Sequence, residues 1–299
     1  MSWREAWREH VKKTGDFWVD RTHDRYEVID EKERSQTMRK KRSMRDRSAQ
    51  IVKSTVDARV VGHQKVDNQD QVRYVLHLTF LIKQGDLFYI EEQEIEKEGI
   101  FDGDVLITDR TLNQEKNLDT RMKITFPEPR VQSSGTARYT YDRQAAVKYA
   151  EKWWNSYNPA YPKFEVDCTN YVSQCLKAGG APMSHIGEKG KGWWCRGKDC
   201  SYSWSVANAL RWFLASDGNS VGAVTVEEPE ELVPGDVICY DWEGDGKWNH
   251  NTIVTGQDRD GMPLVNAHTY NSRNRYWAYE DSPAYTENTQ YKFFHINAD

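Results

Sequence analysis

The sequence contains no long apolar segment and no export signal. Of its 299 residues, 38% are hydrophobic and 29% are charged, and no apolar run approaches the roughly 20 residues that a membrane-spanning helix needs. The N-terminal stretch MSWREAWREHVKKTGDFW also lacks the apolar core and small-residue cleavage site of a secretory signal peptide. We therefore expect a globular chain without a membrane span. We expect it to be cytoplasmic as written, and to reach the cell wall or the exterior if a signal has been removed.

The chain also lacks a strong charge of either sign. Its formal net charge is −5, and neither half is basic enough to indicate nucleic-acid binding. The one dense basic run, RKKRSMRDR at 39–47, lies in a helical pattern. It is either a solvated helix face, which we favour, or a contact for an anionic polymer such as nucleic acid or wall polymer.

Cysteine is missing from the first half of the sequence, and all five cysteines fall in the second. Because the number is odd, at least one thiol is free or paired outside the chain. Cys175 and Cys239 lie on apolar stripes and are interpreted as packing residues. For Cys195 and Cys200 a local disulfide, two reduced thiols and, with His185, a weak zinc pattern all stay open, and no metal site is predicted.

The two halves differ in periodicity. Helical patterns at 2–18 and 25–50 precede three alternating segments, 54–66, 71–83 and 86–97, which are typical of an antiparallel meander. We predict an accessory α+β domain over 1–135, with a helix packed on a curved sheet and a targeting or regulatory role. The proline-containing segment 126–138 is the predicted linker.

The second half, 136–299, places helices before strands, which indicates an α+β fold with an antiparallel sheet. The sequence predicts a helix capped by Thr140, a second helix after Asp167 and a third over 201–216. Strand patterns follow at the end of the chain, at 237–241, 251–256, 263–270 and 291–296.

Cys168 stands at the predicted start of the second helix. Asp167 is a suitable N-cap, which makes Cys168 the first helical residue, and Gly179 and Gly180 can end the helix. Unpaired N–H groups and the helix dipole favour a thiolate at such a position. Cys168 is therefore either a nucleophile or a buried core thiol.

A nucleophilic thiol needs a base, and the base needs an orienting group. His250 falls at the start of a predicted strand, and Asn266 and His268 share one face of the next. Taken alone, His250 could be a surface histidine and His268 a core histidine. Together with Cys168, the order of these residues is that of a papain-like triad.

Four blocks carry a family resemblance: DCTNYVSQCLKAGG, SYSWSVANALRWF, PGDVICYDWEGDGKWNHNTIVTG and VNAHTYNSRNRYW. In this order they resemble the putative amidase domain of Gram-positive bacteria, which is related to the CHAP and NlpC-type peptidoglycan hydrolases of the papain-like superfamily. The resemblance covers 140–296. It implies a papain-like fold with Cys168 as nucleophile, His250 as its histidine, and His268, or alternatively Asn266, in the third position.

The resemblance implies hydrolysis of an amide or peptide bond, with cell-wall peptide or peptidoglycan as the expected substrate. Cys168 would form a thioester that water then hydrolyses, and no cofactor is required. A wall hydrolase without a signal peptide would fit a wall inside a sporulating mother cell or its forespore. A catalytically silent wall-binding module and a transglutaminase-like acyl transferase are the alternatives. The sequence does not indicate an oligomeric state.

Two further patterns have competing interpretations. DWEGDG at 241–246 resembles the start of an EF-hand loop, but Thr252 stands where the bidentate Glu belongs, so calcium is not expected. Trp193, Trp194 and Trp204 are candidates for substrate contact, and core packing explains them equally well.

Overall fold

The computed structural model describes residues 2–19, 31–112 and 139–297. The predicted linker 126–138, with the predicted domain boundary near residue 135, lies outside these residues.

The structure divides into two compact units. The first comprises Met1–Lys116 with Ala278–Tyr285, and the second comprises Asn117–Trp277 with Thr286–Asp299. The segment Ala278–Tyr285 lies within the second half of the sequence but groups with the first unit.

The first unit consists of helices and antiparallel strands. Its elements are α1 (Trp3–Val19), α2 (Glu31–Asp46), β1 (Ala49–Val66), β2 (Gln69–Gln84), β3 (Leu87–Asp102) and β4 (Val105–Thr111). The strands pair in chain order. The prediction of helices before an antiparallel meander is confirmed for the described residues, and β4 is an additional strand. The helix predicted over 25–50 ends at Asp46, and residues 25–30 of that prediction lie outside the described residues.

The alternating pattern of β2 builds the core of the first unit. Tyr74, Leu76, Leu78 and Phe80 project to one face and are buried. Because side chains of a strand alternate between the two faces, this spacing produces one apolar surface, and α1 and α2 pack against the sheet. Burial of each large apolar side chain contributes about 1.5–3 kcal/mol to the free energy of unfolding.

Charged groups are also buried in the first unit. Asp109 accepts hydrogen bonds from His10 and Tyr74 at 3.0 and 2.7 Å, and its carboxylate lies 2.5 Å from the Lys97 ammonium. Burial would raise the pKa of Asp109, but the bond from His10 and the charge of Lys97 outweigh it and lower this pKa to about 2. Burial would lower the pKa of Lys97, but Glu33 and Asp109 together raise it. The network is stable because each buried charge has an opposite partner.

The basic run at 39–47 is only partly solvated. Lys40 is 4% exposed, and its ammonium lies 2.5 Å from Glu91 and 3.0 Å from Asp281. Arg39 donates to backbone carbonyls in the same short segment as Asp281. The prediction of a solvated helix face is therefore wrong for these two cations, because buried carboxylates and carbonyls on other elements take their hydrogen bonds.

The second unit places its helices first. These are α3 (Arg143–Trp153), α4 (Cys168–Ala178), α5 (Tyr202–Ser205) and α6 (Ala207–Leu214), with the hairpin β5 (Cys195–Arg196) and β6 (Asp199–Cys200) before α5. The remaining strands are β7 (Ala223–Val226), β8 (Val237–Asp241), β9 (His250–Gln257), β10 (Pro263–Ala267), β11 (Ser272–Tyr276) and β12 (Gln290–Ile296).

The longer strands of the second unit pair antiparallel in the order β11-β10-β9-β8-β12-β7. Helices α3, α4 and α6 lie against β9. Apolar residues of α4 form one core with Val237 and Ile253 of the sheet. The fold is α+β, as predicted, and the sheet face that carries Ile253 is the helix-facing side.

Two helix predictions need correction. The cap of α3 is Asp142 instead of Thr140, since the Asp142 carboxylate accepts from the Ala145 N–H at 2.9 Å. The helix predicted over 201–216 is divided by Val206, which has extended backbone angles (φ −122°, ψ 126°). Among the described residues, no helix combines the length and hydropathy needed to cross a membrane.

We predict that Asp109→Asn destabilises the protein by about 3–5 kcal/mol, because it leaves Lys97 buried with one charge partner fewer. Chemical denaturation of both proteins at pH 7 measures the difference. Asp102→Asn, at an exposed position of β3, is the control and should change stability by less than about 0.5 kcal/mol.

The difference between wild type and Asp109→Asn should depend on pH. The folded pKa of Asp109 is depressed to about 2 from 3.8, so its stabilisation is present above pH 3.8 and is lost as pH falls toward 2. A difference that stayed constant through this range would contradict the assignment.

Candidate functional site

Cys168 is the first residue of α4, as predicted, and is buried with 0% exposure. Its Sγ lies 3.8 Å from the Thr169 Oγ1. Asp167 occupies the N-cap position, but its side chain caps no helix N–H group. Instead its Oδ1 accepts from the Phe164 N–H and from the Asn170 side chain, each at 2.9 Å. The carboxylate thus anchors the loop that leads into the helix.

His268 completes the environment of Asp167. Its Nδ1 lies 2.8 Å from the Asp167 Oδ2, and its Nε2 lies 2.7 Å from the backbone carbonyl of Trp153. Both ring nitrogens therefore face hydrogen-bond acceptors on other elements. The ring also stacks on Tyr171 at 4.1 Å between centroids. The end of β10 is thereby joined to the start of α4.

The start of β9 is joined to the same helix turn by Asn251. Its Nδ2 donates to the Thr169 Oγ1 at 2.9 Å. Asn251 is fully buried, and its Oδ1 has no hydrogen-bond partner among the described residues. The Asn251 amide thus offers an unused acceptor, and the Thr169 hydroxyl links this amide to the Cys168 sulfur.

His250 projects to the sheet face opposite Asn251, since neighbouring side chains of a strand alternate. Its ring lies 5.6 Å from Tyr240 and 5.8 Å from Trp242, measured between centroids. Burial, reinforced by the charge of Arg275, lowers the pKa of His250 to about 3. The imidazole is therefore neutral at pH 7 and lies on the side of the sheet away from α4.

Asn266 shares the helix-facing side with His268, as the alternation predicts. Its Nδ2 donates to Glu151 of α3 at 2.8 Å, and its Oδ1 accepts from Thr255 and from the Asn274 N–H. These bonds fix the side chain between a helix and two strands.

Of the residues predicted to be catalytic, the structure thus brings Cys168 and His268 to one helix turn, through Asp167. Asn266 lies on the same side and His250 on the other. Asp167, Thr169 and Asn251 were not predicted to be part of this site. They were detectable only as polar residues directly beside Cys168 and His250 in the DCTN and NHN motifs.

The three tryptophans predicted to contact substrate are buried, at 0% to 2% exposure. Trp193 and Trp204 pack against each other at 4.8 Å, and their indole N–H groups donate to Ser173 and Asn170. The Trp194 N–H donates to a backbone carbonyl. All three have the packing role in this structure, and substrate contact stays a prediction.

The remaining cysteines have structural roles. Cys195 and Cys200 form a disulfide across the β5–β6 hairpin, which resolves the alternatives left open by the sequence. Cys175 and Cys239 are buried free thiols, as predicted. Burial raises the pKa of both thiols.

The DWEGDG loop is organised by its own first residue. The Asp241 carboxylate accepts from the backbone N–H groups of Gly244, Asp245 and Gly246. The acidic side chain thus holds a turn of the chain, and the pattern of an EF-hand start has a local structural explanation.

The second unit therefore has the features of an α+β domain with a cysteine at a helix start and polar residues of two strands around it. A family model described as "putative amidase domain" matches residues 140–294. This match covers half of the chain, and the chain belongs to this family.

Two relatives from Bacillus subtilis strain 168 are similar to this chain. YhbB, described as an uncharacterized protein, is 44% identical over 264 residues, which are 86% of this chain and 85% of YhbB. YjcM, with the same description, is 33% identical over 143 residues, which are 45% of this chain and 32% of YjcM. No solved structure matches.

We predict that His250 does not titrate near the ordinary histidine pKa of 6.5. NMR spectra of its ring protons, assigned with a His250→Gln variant, should show no shift between pH 7.5 and about pH 4.5, because charging the buried ring is unfavourable. Since the folded pKa lies below the unfolded one, the ring reduces stability as pH falls below 6.5. A titration midpoint near 6.5 would contradict this environment.

Proposed function

We propose that the second unit is a cysteine amidase that hydrolyses an amide or peptide bond in cell-wall peptide, with peptidoglycan as the expected substrate. The observation that carries the proposal is the convergence of three sequence blocks on the first turn of α4. Cys168 lies in this turn, and the bonds Asp167–His268 and Thr169–Asn251 tie it to β10 and β9. Membership of the amidase family supports the same reaction. The papain-like fold implied by the family resemblance is part of this proposal.

The proposed reaction begins with the Cys168 thiolate, which the N–H groups of the helix start stabilise. The sulfur attacks the amide carbonyl, and backbone N–H groups hold the developing oxyanion. The C–N bond breaks as a protonated histidine donates to the leaving amine. A water molecule then gives its proton to the same histidine and attacks the thioester, which releases a carboxylic acid and restores the thiolate.

Two histidines compete for the role of proton donor. His268 is supported by its contacts, because it bonds Asp167, the residue that precedes Cys168. To donate to a leaving amine, its Nε2 would exchange the Trp153 carbonyl for the substrate. His250 is supported by the order of sequence blocks, but its low pKa and its position on the opposite sheet face argue against it. We assign the donor to His268, and the His250 assignment stays the alternative prediction.

A catalytically silent wall-binding module is the second candidate. It is favoured by the complete burial of Cys168, since a nucleophile must be reached by its substrate. Labelling with a thiol-reactive probe near pH 7 separates the two candidates. Selective modification of Cys168, identified by peptide mass spectrometry, supports the amidase, and its absence supports the binding module.

We predict that Cys168→Ala abolishes amide cleavage, by a factor on the order of 10³ or more, because no other group supplies the attacking atom. Purified protein is incubated with peptidoglycan fragments, and new termini are identified by mass spectrometry. Cys175→Ala is the matched control, since it removes a buried thiol from the same helix. Cleavage that persists in Cys168→Ala would exclude the proposed nucleophile.

Substitution of His268 and of His250 should lower kcat to different extents. His268→Gln should lower kcat by about 10²–10⁴-fold, the usual contribution of a positioned acid or base. His250→Gln should have the smaller effect. The thermal melting temperature of each variant must be recorded, because Asp167 loses its charge partner in His268→Gln. The reverse order of effects would assign the reaction to His250.

A further inference from the structure

Arg211 is a partly buried cation whose guanidinium contacts aromatic rings. It lies on α6, and its guanidinium is placed over the rings of Trp212 and Trp248, at 4.0 and 5.1 Å from their centroids. Two of its nitrogens, Nε and Nη1, are buried and have no hydrogen-bond partner among the described residues. Burial lowers the pKa of Arg211, as expected for a guanidinium that has lost part of its hydration. Unsatisfied donors of this kind are costly unless a ligand uses them.

The position of Arg211 is tied to the start of β9. One turn earlier on α6, the Asn208 side chain accepts from the backbone N–H of Trp248 at 3.3 Å. Trp248 precedes Asn251 by three residues. Arg211 therefore lies against the ring at the beginning of the segment that leads to Asn251.

Cys239 connects this segment to the proposed nucleophile. It is the strand partner of Asn251, and it lies on the same helix-facing side of the sheet. Burial raises the pKa of its thiol, and the positive charge of Arg211 partly offsets this rise. Asn251 itself reaches the Cys168 turn through Thr169. The unused amide oxygen of Asn251 thus lies beside the Cys168 turn, and the Arg211 guanidinium lies over the ring of Trp248, three residues before Asn251.

We propose that Arg211 binds a carboxylate of the substrate, so that the enzyme prefers amides whose amine side ends in a free carboxylate. The inference rests on the proposed function and specifies its substrate class. A C-terminal peptide residue presents a carboxylate close to the N–H of its amide bond. The donors of Arg211 suit the carboxylate, and the free Oδ1 of Asn251 suits the N–H.

The carboxylate preference can be tested on the thiol itself. Iodoacetate and iodoacetamide both alkylate a thiolate, forming a C–S bond as iodide leaves, but only iodoacetate carries a carboxylate. We expect Arg211→Gln to lower the iodoacetate-to-iodoacetamide rate ratio at Cys168 by about 10- to 100-fold. Mass spectrometry of the labelled peptide distinguishes Cys168 from the other free thiols.

Two further variants test whether the effect on the rate ratio is specific to the positive charge of Arg211. Arg211→Lys keeps the charge and should retain part of the preference, and it replaces Arg211→Gln if that variant does not fold. Arg259→Gln removes one exposed positive charge beyond the far end of β9 and should leave the ratio unchanged. An equal ratio in wild type and Arg211→Gln would overturn the role of Arg211 and leave the amidase proposal intact. Failure of both reagents to label Cys168 in wild type would contradict the amidase proposal, and this inference with it.

The hydrolysis reaction gives a second measurement. A peptide with a free C-terminal carboxylate and the same peptide as its C-terminal amide are compared as substrates. The ratio of their kcat/KM values should favour the free acid in wild type and fall by a similar factor in Arg211→Gln. A ratio unaffected by the substitution contradicts the inference.

Discussion

The carboxylate of Asp167 is the interaction on which the proposed site depends. It accepts hydrogen bonds from the loop before α4, from Asn170 within the helix and from His268 at the end of β10. A buried carboxylate is costly without partners, so all three elements must come together for the charge to be tolerated. This requirement fixes the first turn of α4, and with it the position of Cys168.

Side chains of β9 alternate between the two faces of the sheet, so its first two residues, His250 and Asn251, point to opposite sides. Asn251 contacts the helix side, whereas His250 is enclosed by aromatic rings on the other. The two histidines of the predicted triad consequently occupy different electrostatic environments. His268 faces a carboxylate and a carbonyl, while burial holds His250 neutral.

The first unit also contains buried charges that are tolerated because they are paired with opposite charges. Lys40 and Lys97 are almost completely buried, and each lies between two acidic side chains. Such networks contribute little to net stability compared with apolar packing, but they penalise every arrangement that leaves a charge unpaired. They therefore select one packing of α2 on the strands. A composition rich in charge does not reveal this, because an exposed lysine and a buried one look the same in sequence.

The sequence by itself determined the α+β class, most elements of both halves and the position of Cys168 at a helix start. These features depend on local periodicity and on single residues such as Gly179, which operate over a few positions along the chain. Only the tertiary structure decided that His268 bonds Asp167, that Asn251 reaches Thr169 and that His250 faces away from α4. These contacts join residues about 80 to 100 positions apart, and their partners are set by strand pairing and helix packing, which leave no short-range pattern in the sequence.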